Sequence, residues 1–337
     1  PVPMFIHNRI ILSDNIVGRE IIDEYKKIIE NFEDTSNEFT EKYIKRENFS
    51  QTLKIQSTYN PNILNSSQKI NHYKKRIFTN LEPIYKNKGK SQIKLIKNKF
   101  QRYFEIRKRE KFLNSNSIKN IEDNNFILFP MQSMPEAKVL TISPFYSNQI
   151  TLIENIAKSI PINTILYVKE HPIQKTKLWR SVEFYKKIIA IPNVKLVHPS
   201  VDSQELIANT KAVILISGGT GFEAIFYKKP VILFSEEIYE ELSTVTKVSK
   251  FDNLHKEISE AITNFKFNIK EINALMTVIE NQSISIPYFT IIKEGVTLSA
   301  IQRNKKNPEV TLQYFKKFHE TYKKSFKEYA NAIYSRF

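Results

Sequence analysis

A chain of 337 residues, 41% hydrophobic and 12% aromatic, carries enough apolar material for a large packed core, so global disorder is excluded. It has no cysteine, which excludes disulfide frameworks, thiol nucleophiles and Cys-based zinc or iron–sulfur centres. No apolar run approaches the roughly 18 residues of a spanning helix, and no signal-peptide pattern opens the chain; a cytoplasmic protein is the expectation.

The charge is lopsided. Lys and Arg total 51 against 35 Asp and Glu, a formal net charge of +16. Eleven basic residues and two acidic ones, Glu105 and Glu110, fall between Lys86 and Lys111, so +9 of the excess lies in one segment. Such a block is either a solvated helix face or a surface for an anionic partner, an acidic membrane or an acidic polymer. No zinc-finger or RNP-type signature accompanies it, and nucleic acid is not an expected partner.

Residues 1–122 read as a mostly helical, basic region. Apolar residues at three-to-four spacing predict helices over Ile21–Phe32 and Ile93–Phe112, whereas Asn48–Gln68, rich in Asn, Ser, Thr and Gln, reads as irregular. From Asn125 the texture changes. Strands are predicted over Phe126–Phe129, Thr164–Val168, Val194–Val197, Ala212–Ile216 and Val231–Phe234, with helices near Asn148–Ile160, Thr176–Ile189, Ser203–Asn209 and Thr220–Tyr227. Apolar runs without polar alternation are strands buried on both faces, and intervening helices make them βαβ units of a parallel sheet. Residues 123–265 are therefore expected to form a Rossmann-like doubly wound α/β domain. A helical region over 266–337 follows, with Thr311–Tyr334 its clearest amphipathic segment.

Three unusual segments fall at the carboxyl edge of that sheet, where ligands of open α/β folds bind. Gln132-Ser-Met-Pro-Glu136 follows the first strand, Lys169-Glu170-His171-Pro172 the second, and Ser217-Gly218-Gly219-Thr220-Gly221-Phe222-Glu223 the fourth. The chain has only six glycines, and half of them stand in the last segment, which points to an unusual backbone there. Glycines admit close approach, and a helix start offers unpaired N–H groups. A phosphate fits that place, with the Ser217 and Thr220 hydroxyls as further donors. A tight strand-to-helix turn without a ligand fits it as well. Glu223 either meets sugar hydroxyls or complements the helix dipole. The segment is neither a P-loop nor a G-x-G-x-x-G fingerprint. His171 leaves a buried strand just before Pro172, a geometry that would aim its imidazole into the crevice as a phosphate donor or acid–base group; the alternative is a structural histidine. Gln132 and Glu136 could bond a sugar or supply a carboxylate, or serve as a loop cap and an exposed acid. No second histidine or carboxylate clusters with His171, so no metal site is expected.

The succession Gln-x-x-Pro-Glu, Lys-Glu-His-Pro and Ser-Gly-Gly-Thr-Gly-x-Glu-Ala, with Lys229-Pro230-Val231-Ile232 after it, resembles the capsule polysaccharide biosynthesis family. Gln149 and Asp202-Ser203 join the resemblance, which covers roughly residues 125–245. Gly219 and Lys228 depart from it, standing where many relatives have Thr and Gly. The resemblance implies a GT-B-type, metal-independent glycosyltransferase with no bound cofactor, using a nucleotide sugar that is CMP-linked and Kdo-like, and a glycan or glycolipid acceptor. It places His171 and Gly218–Gly221 at the donor phosphate and Glu223 near the ribose, with Gln132, Lys169, Ser217 and Thr220 as further donor-site candidates. His171 and Glu136 are the catalytic candidates. The first 120 residues lack the run of strands of an N-terminal Rossmann half. Two alternatives stay open: a non-hydrolysing UDP-sugar 2-epimerase, whose Ser-Gly-Gly-x-x-Glu-Glu turn is matched here except that Ala224 replaces the last acid, and a non-catalytic membrane- or glycan-binding module. Lys86–Lys111 is the expected contact with an anionic membrane at its inner face.

Overall fold

The computed structural model describes residues 2–3, 9–13, 15–45, 92–122, 125–134, 137–171, 180–248, 250–288, 290–292, 294–295 and 308–335. The predicted irregular segment Asn48–Gln68 and the first six residues of the basic block, 86–91, lie outside them. Two short strands, β1 (Val2–Pro3) and β2 (Arg9–Ile11), open the chain. Six further strands follow: β3 (Phe126–Pro130), β4 (Ile165–Lys169), β5 (Val194–Val197), β6 (Val213–Leu215), β7 (Val231–Leu233) and β8 (Val245–Lys247). They form one sheet in the order β5-β4-β3-β6-β7-β8, parallel throughout. This is the doubly wound order: the chain starts in the middle, runs outward through β4 and β5, then returns to build β6 to β8 on the other side.

The five predicted strands are found within a residue or two of their expected bounds. β8 was not legible, because its Val-Thr-Lys sequence is half exposed at the sheet edge and has no apolar run.

Side chains alternate between the two faces along each strand, and two separate cores result. Phe126, Leu128, Tyr167, Val213, Leu215, Val231 and Leu233 face one way. Ile127, Phe129, Leu166, Val168, Ile214, Ile216 and Ile232 face the other. The first face is covered by helices Ser203–Asn209, Gly219–Phe226 and Ile269–Gln282. Helix Arg19–Ile28 joins them through Ile21 and Tyr25. The second face is covered by Gln149–Ser159, Val182–Ile189 and Leu254–Thr263, with Leu113 of helix Gln92–Asn116. Helices from the 1–122 and 266–337 segments thus enter the same two layers as those of 123–265. Asn148, Ser181, Asp202 and Asn268 each accept a backbone N–H in the first turn of the helix they begin.

A small antiparallel sheet joins the first described strands to a strand that follows helix Ile269–Gln282. β2 lies between β1 and a last strand, β9 (Ser283–Ser285), with Ile10 opposite Ile284. The Arg9 guanidinium fixes this pairing by donating to Ser283 Oγ at 2.5 Å and to the Glu280 and Ser283 carbonyls at 2.7 and 3.0 Å. The amphipathic helix expected near the C-terminus runs over Pro308–Tyr334.

Helix Gly219–Phe226 ends in a Schellman turn: Lys229 N–H donates to the Ala224 carbonyl at 3.0 Å and Lys228 N–H to that of Ile225 at 2.9 Å. The turn needs a left-handed residue, and Lys228 takes it at φ 55°. Its ammonium also lies 5.1 Å from the Phe267 ring centroid. Lys228→Gly and Lys228→Ala both lose that contact, but only glycine escapes the left-handed cost of about 1 kcal/mol. The Gly variant should therefore unfold at a higher urea midpoint than the Ala variant; equal midpoints would mean that the turn is not kept in solution.

Candidate functional site

The sheet reverses its winding between β3 and β6, so the loops leaving these two strands diverge and leave a crevice at the carboxyl edge. Gln132 and Ser217 each stand two residues past the end of their strand. The Gln132 side-chain amide crosses the crevice and donates to the Ser217 carbonyl. Its own backbone is held by Gln149: Gln132 N–H donates to Gln149 Oε1 at 2.9 Å, and Gln149 Nε2 returns to the Gln132 carbonyl at 3.3 Å. All three residues are buried, so this exchange forms the floor of the crevice.

At the end of β4, strand alternation sends Lys169 and Glu170 to opposite faces. Lys169 is buried on the side of Tyr167 and donates to the Pro199 carbonyl at 3.4 Å. Burial lowers its pKa to about 8, against the opposing pull of Glu170 and Asp202. Glu170 is buried on the other side, where it pairs with Arg180 and accepts the Tyr185 hydroxyl at 2.5 Å and its neighbour's N–H, that of His171, at 2.7 Å. Burial, and then the Glu170 charge, push the Tyr185 hydroxyl well above its ordinary pKa. Arg180 also donates to the Gln132 carbonyl and lies 5.1 Å from the Phe184 ring centroid. Glu170 and Arg180 therefore tie the backbone of His171 to the floor of the crevice, while His171 itself stays partly exposed.

The glycine segment leaves β6 with Gly218 at φ 110° and ψ −178°, a conformation that only glycine adopts without strain. Its N–H donates to Glu237 Oε1 at 2.6 Å and its carbonyl accepts the Tyr239 hydroxyl at 2.7 Å. Gly221 is required for a different reason. A Cβ there would lie 2.6 Å from the Tyr239 hydroxyl oxygen and 3.1 Å from both Leu215 methyls, so its absence lets the helix settle onto β6. Gly219 opens the helix, and Thr220 is partly exposed in its first turn. The first N–H groups of that helix have no partner within it.

Charge gathers around this turn. Glu237, fully buried in the loop after β7, meets the Lys138 ammonium at 2.7 Å on the oxygen that receives the Gly218 N–H. Among the described residues its other oxygen and the buried Ser217 hydroxyl have no hydrogen-bond partner. Burial raises the Glu237 pKa against the pull of Lys138 and Gly218. Glu223, one turn into the helix, is raised to about 7 by burial and by Asp202. Asp202 acts electrostatically on Lys169 as well, which places the ends of β4, β5 and β6 around one region.

Of the residues singled out in the sequence, Gln132 and Ser217 are joined directly by a hydrogen bond, with Gly218, Gly219, Thr220 and Gly221 continuing the same turn. His171 is joined to them through Glu170 and Arg180, and Lys169 and Glu223 share the field of Asp202. Glu136, with Pro135 and Pro172, lies outside the described residues. Lys138, Arg180, Tyr185, Glu237 and Tyr239 were not foreseen as part of the site. Arg180 and Tyr185 sit in or beside a predicted helix and look like ordinary helix residues; Glu237 follows a predicted strand at the same edge, which was the one available signal.

The fold and these loops define a doubly wound α/β protein whose switch point lies between β3 and β6. Comparison with known families makes this specific: the chain belongs to the capsule polysaccharide biosynthesis protein family, whose model matches residues 23–271. The match extends well into the helical N-terminal region, beyond the 125–245 span of the motifs. Comparison with curated proteins gives no match.

Similar solved structures include KpsC of Thermosulfurimonas dismutans, a beta Kdo 2,7 transferase, at 18% identity, with 50% of this chain and 51% of that one covered and a TM-score of 0.33. The UDP-GlcNAc 2-epimerase of Methanocaldococcus jannaschii is 20% identical over 51% of this chain and 49% of its own, with a TM-score of 0.35. HepE of Anabaena, in complex with UDP-glucose, is 18% identical over 52% and 49%, with a TM-score of 0.33. The chain spans about half the length of these structures.

Glu223 gives a pH test of the site. With its carboxyl raised to about 7 in the folded protein from 4.5, the unfolded chain releases this proton first as pH rises. The group therefore costs stability progressively between about pH 4.5 and 7 and by a constant amount above. Glu223→Gln removes that term, so the stability of the variant relative to wild type should improve by about 3 kcal/mol from pH 4.5 to 8. Parallel melting-temperature profiles would show that the carboxyl titrates normally.

Proposed function

We propose that the protein is a glycosyltransferase of surface-polysaccharide assembly that binds a nucleotide-activated sugar, CMP-linked and Kdo-like, at the carboxyl edge of its sheet. One observation supports this reading above the others: the Gly218–Gly221 turn opens a helix at the switch point, with the buried Ser217 hydroxyl beside it unpartnered among the described residues. Family membership agrees with it. In this reading the donor phosphate rests on the free N–H groups of Gly219, Thr220 and Gly221, with the Ser217 and Thr220 hydroxyls beside them. The Gly218 N–H is already taken by Glu237, and Gly218 serves by setting the turn.

Transfer breaks the bond between the anomeric carbon and the phosphate oxygen and leaves negative charge on that phosphate. Preorganised N–H dipoles and a protonated or N–H-donating His171 stabilise this charge without a metal. Glu136 takes the proton from the acceptor hydroxyl, and Glu223 accepts from the ribose. Gln132 and Lys169, whose donors are held by the carbonyls of Ser217 and Pro199, shape the crevice around the donor. The acceptor is a glycan or glycolipid.

A thermal-shift panel of CMP, UDP, GDP and ADP tests the donor. A ligand at a hundredfold excess over its Kd adds about 2.7 kcal/mol of apparent stability, and CMP is expected to give the largest shift. A response to UDP alone would move the protein to the UDP-sugar enzymes, the 2-epimerases among them. His171→Ala should slow transfer about 10²–10³-fold, as removal of one oxyanion donor does; wild-type turnover in that variant would remove the role.

The same reading includes contact with an anionic membrane through helix Gln92–Asn116. Arg109 and Leu113 are buried where this helix docks, with Ile106 partly so. The opposite side presents Phe100, Tyr103 and Phe104 at 62%, 49% and 65% exposure, among Lys97, Arg107, Lys108 and Lys111. Exposed rings among cations suit an anionic lipid interface, where each basic residue near the surface contributes about 1 kcal/mol. Among the described residues no helix is long and apolar enough to cross a membrane. Reversing Lys97, Arg107, Lys108 and Lys111 to Glu should abolish low-salt sedimentation with phosphatidylserine vesicles and leave nucleotide binding intact. A wild-type protein that stays in the supernatant would refute the contact.

A further inference from the structure

The glycine turn presents an electrostatic contradiction. A phosphate at the N-terminus of helix Gly219–Phe226 would sit beside the Gly218 N–H, and that N–H already points at the carboxylate of Glu237 at 2.6 Å. Glu237 is fully buried, and one of its oxygens has no hydrogen-bond partner among the described residues, so water does little to screen its charge. Left alone, it would repel the anion that the turn is shaped to receive. Glu240, whose carboxylate accepts the Glu237 N–H at 3.3 Å, adds charge of the same sign, although Lys247 holds it at 2.9 Å.

Among the described residues the cation paired with Glu237 is Lys138, in the helix Ala137–Ile142 that follows the β3 loop. Its ammonium lies 2.7 Å from the same Glu237 oxygen that receives the Gly218 N–H. The lysine side chain keeps 19% of its surface exposed while its partner keeps 1%, so the cation sits between the buried carboxylate and solvent. It joins the segment after β3 to the loop after β7, whose Glu237 in turn holds Gly218 of the β6 loop.

We infer that Lys138 is the specificity-determining counter-charge of the turn: it neutralises Glu237 and so allows the adjoining helix N-terminus to take a nucleotide phosphate. This rests on the donor-phosphate reading given above. Lys138 acts through Glu237 and not through the phosphate itself, so its removal should matter only while the carboxylate is present. When Lys138 is lost, Glu237 either repels the phosphate or must take up a proton before it binds, and both weaken binding near neutral pH. The arrangement also selects against ligands that bring a second unshielded negative charge to this spot, because one ammonium balances one carboxylate.

The test is a double-mutant cycle read by calorimetric titration with CMP and with UDP on wild type, Lys138→Met, Glu237→Gln and the double variant, each with its melting temperature in the absence of ligand. The Gln side-chain carbonyl can still accept the Gly218 N–H. Lys138→Met should weaken binding about tenfold, Glu237→Gln should bind at least as tightly as wild type, and the double variant should return to within about threefold of wild type. A merely structural lysine would lower the melting temperature without this rescue. Unchanged binding in Lys138→Met, or a double variant as weak as Lys138→Met, overturns the inference and leaves the donor reading standing. If Lys138→Met does not fold, the comparison of Glu237→Gln with the double variant decides: a loss of tenfold between them overturns the inference, and a loss within threefold supports it. A wild type that binds neither nucleotide removes the inference together with its premise.

Discussion

Burial of the parallel sheet on both faces is the constraint from which the rest of the molecule follows. A parallel ladder satisfies its backbone groups only when each inner strand has a neighbour on either side, and its apolar side chains then need a layer of helices above and below. Phe126–Phe129 shows the demand at its strongest: it lies between β4 and β6, and four consecutive side chains are buried, alternately in one core and the other. Covering that much surface takes helices from both sides of the 123–265 segment, which explains why Ile21, Tyr25, Leu113 and Ile272 all reach the sheet.

The same constraint pushes polar chemistry to one place. Inside the sheet a charged side chain has no partner, but past the carboxyl ends the ladder stops and its last backbone groups must be satisfied some other way. Gln132, Gln149, Arg180, Glu237 and Tyr239 each supply a side chain to such a group. A large part of the polar crevice is thus scaffold. The Glu170–Arg180 pair illustrates the stakes. A buried ion pair is tolerable when the remaining donors and acceptors are also met. Here the carboxylate has Tyr185 and the His171 N–H, and the guanidinium has the Gln132 carbonyl and the Phe184 ring.

How much of this was legible in the sequence depends on whether an interaction leaves a local pattern. β3 to β7 do, because two-sided burial writes a continuous apolar run. The glycine turn does, because Gly218 and Gly221 answer a backbone angle and a close approach that no other residue meets. β8 leaves almost nothing, being a three-residue edge strand with a Lys and a Thr. Gln132 could be placed past a strand, yet its partner is a carbonyl 85 positions away, and no single-chain pattern encodes that. Glu236 and Glu237 make the point most sharply. They are adjacent and identical, but the first pairs with Arg19 at the surface at 2.7 Å, whereas the second is fully buried against Lys138. Only the path of the loop after β7 tells them apart.

The pairing of β2 with β9 bears on how the chain assembles during synthesis. Arg9–Ile11 emerges from the ribosome early, but its partner Ser283–Ser285 is made more than 270 residues later. Helix Arg19–Ile28 is in a similar position, since it packs against Ile269–Gln282. The parallel sheet, complete by Lys247, has all its strands before either partner exists. Strand β2 and helix Arg19–Ile28 therefore dock late, onto a sheet that is already formed. Contacts of such long sequence separation are slow to close, and until they do the apolar faces of Ile10, Ile11, Ile21 and Ile22 stand uncovered, which makes the interval between the synthesis of β2 and that of β9 a period of exposure to chaperones and to aggregation.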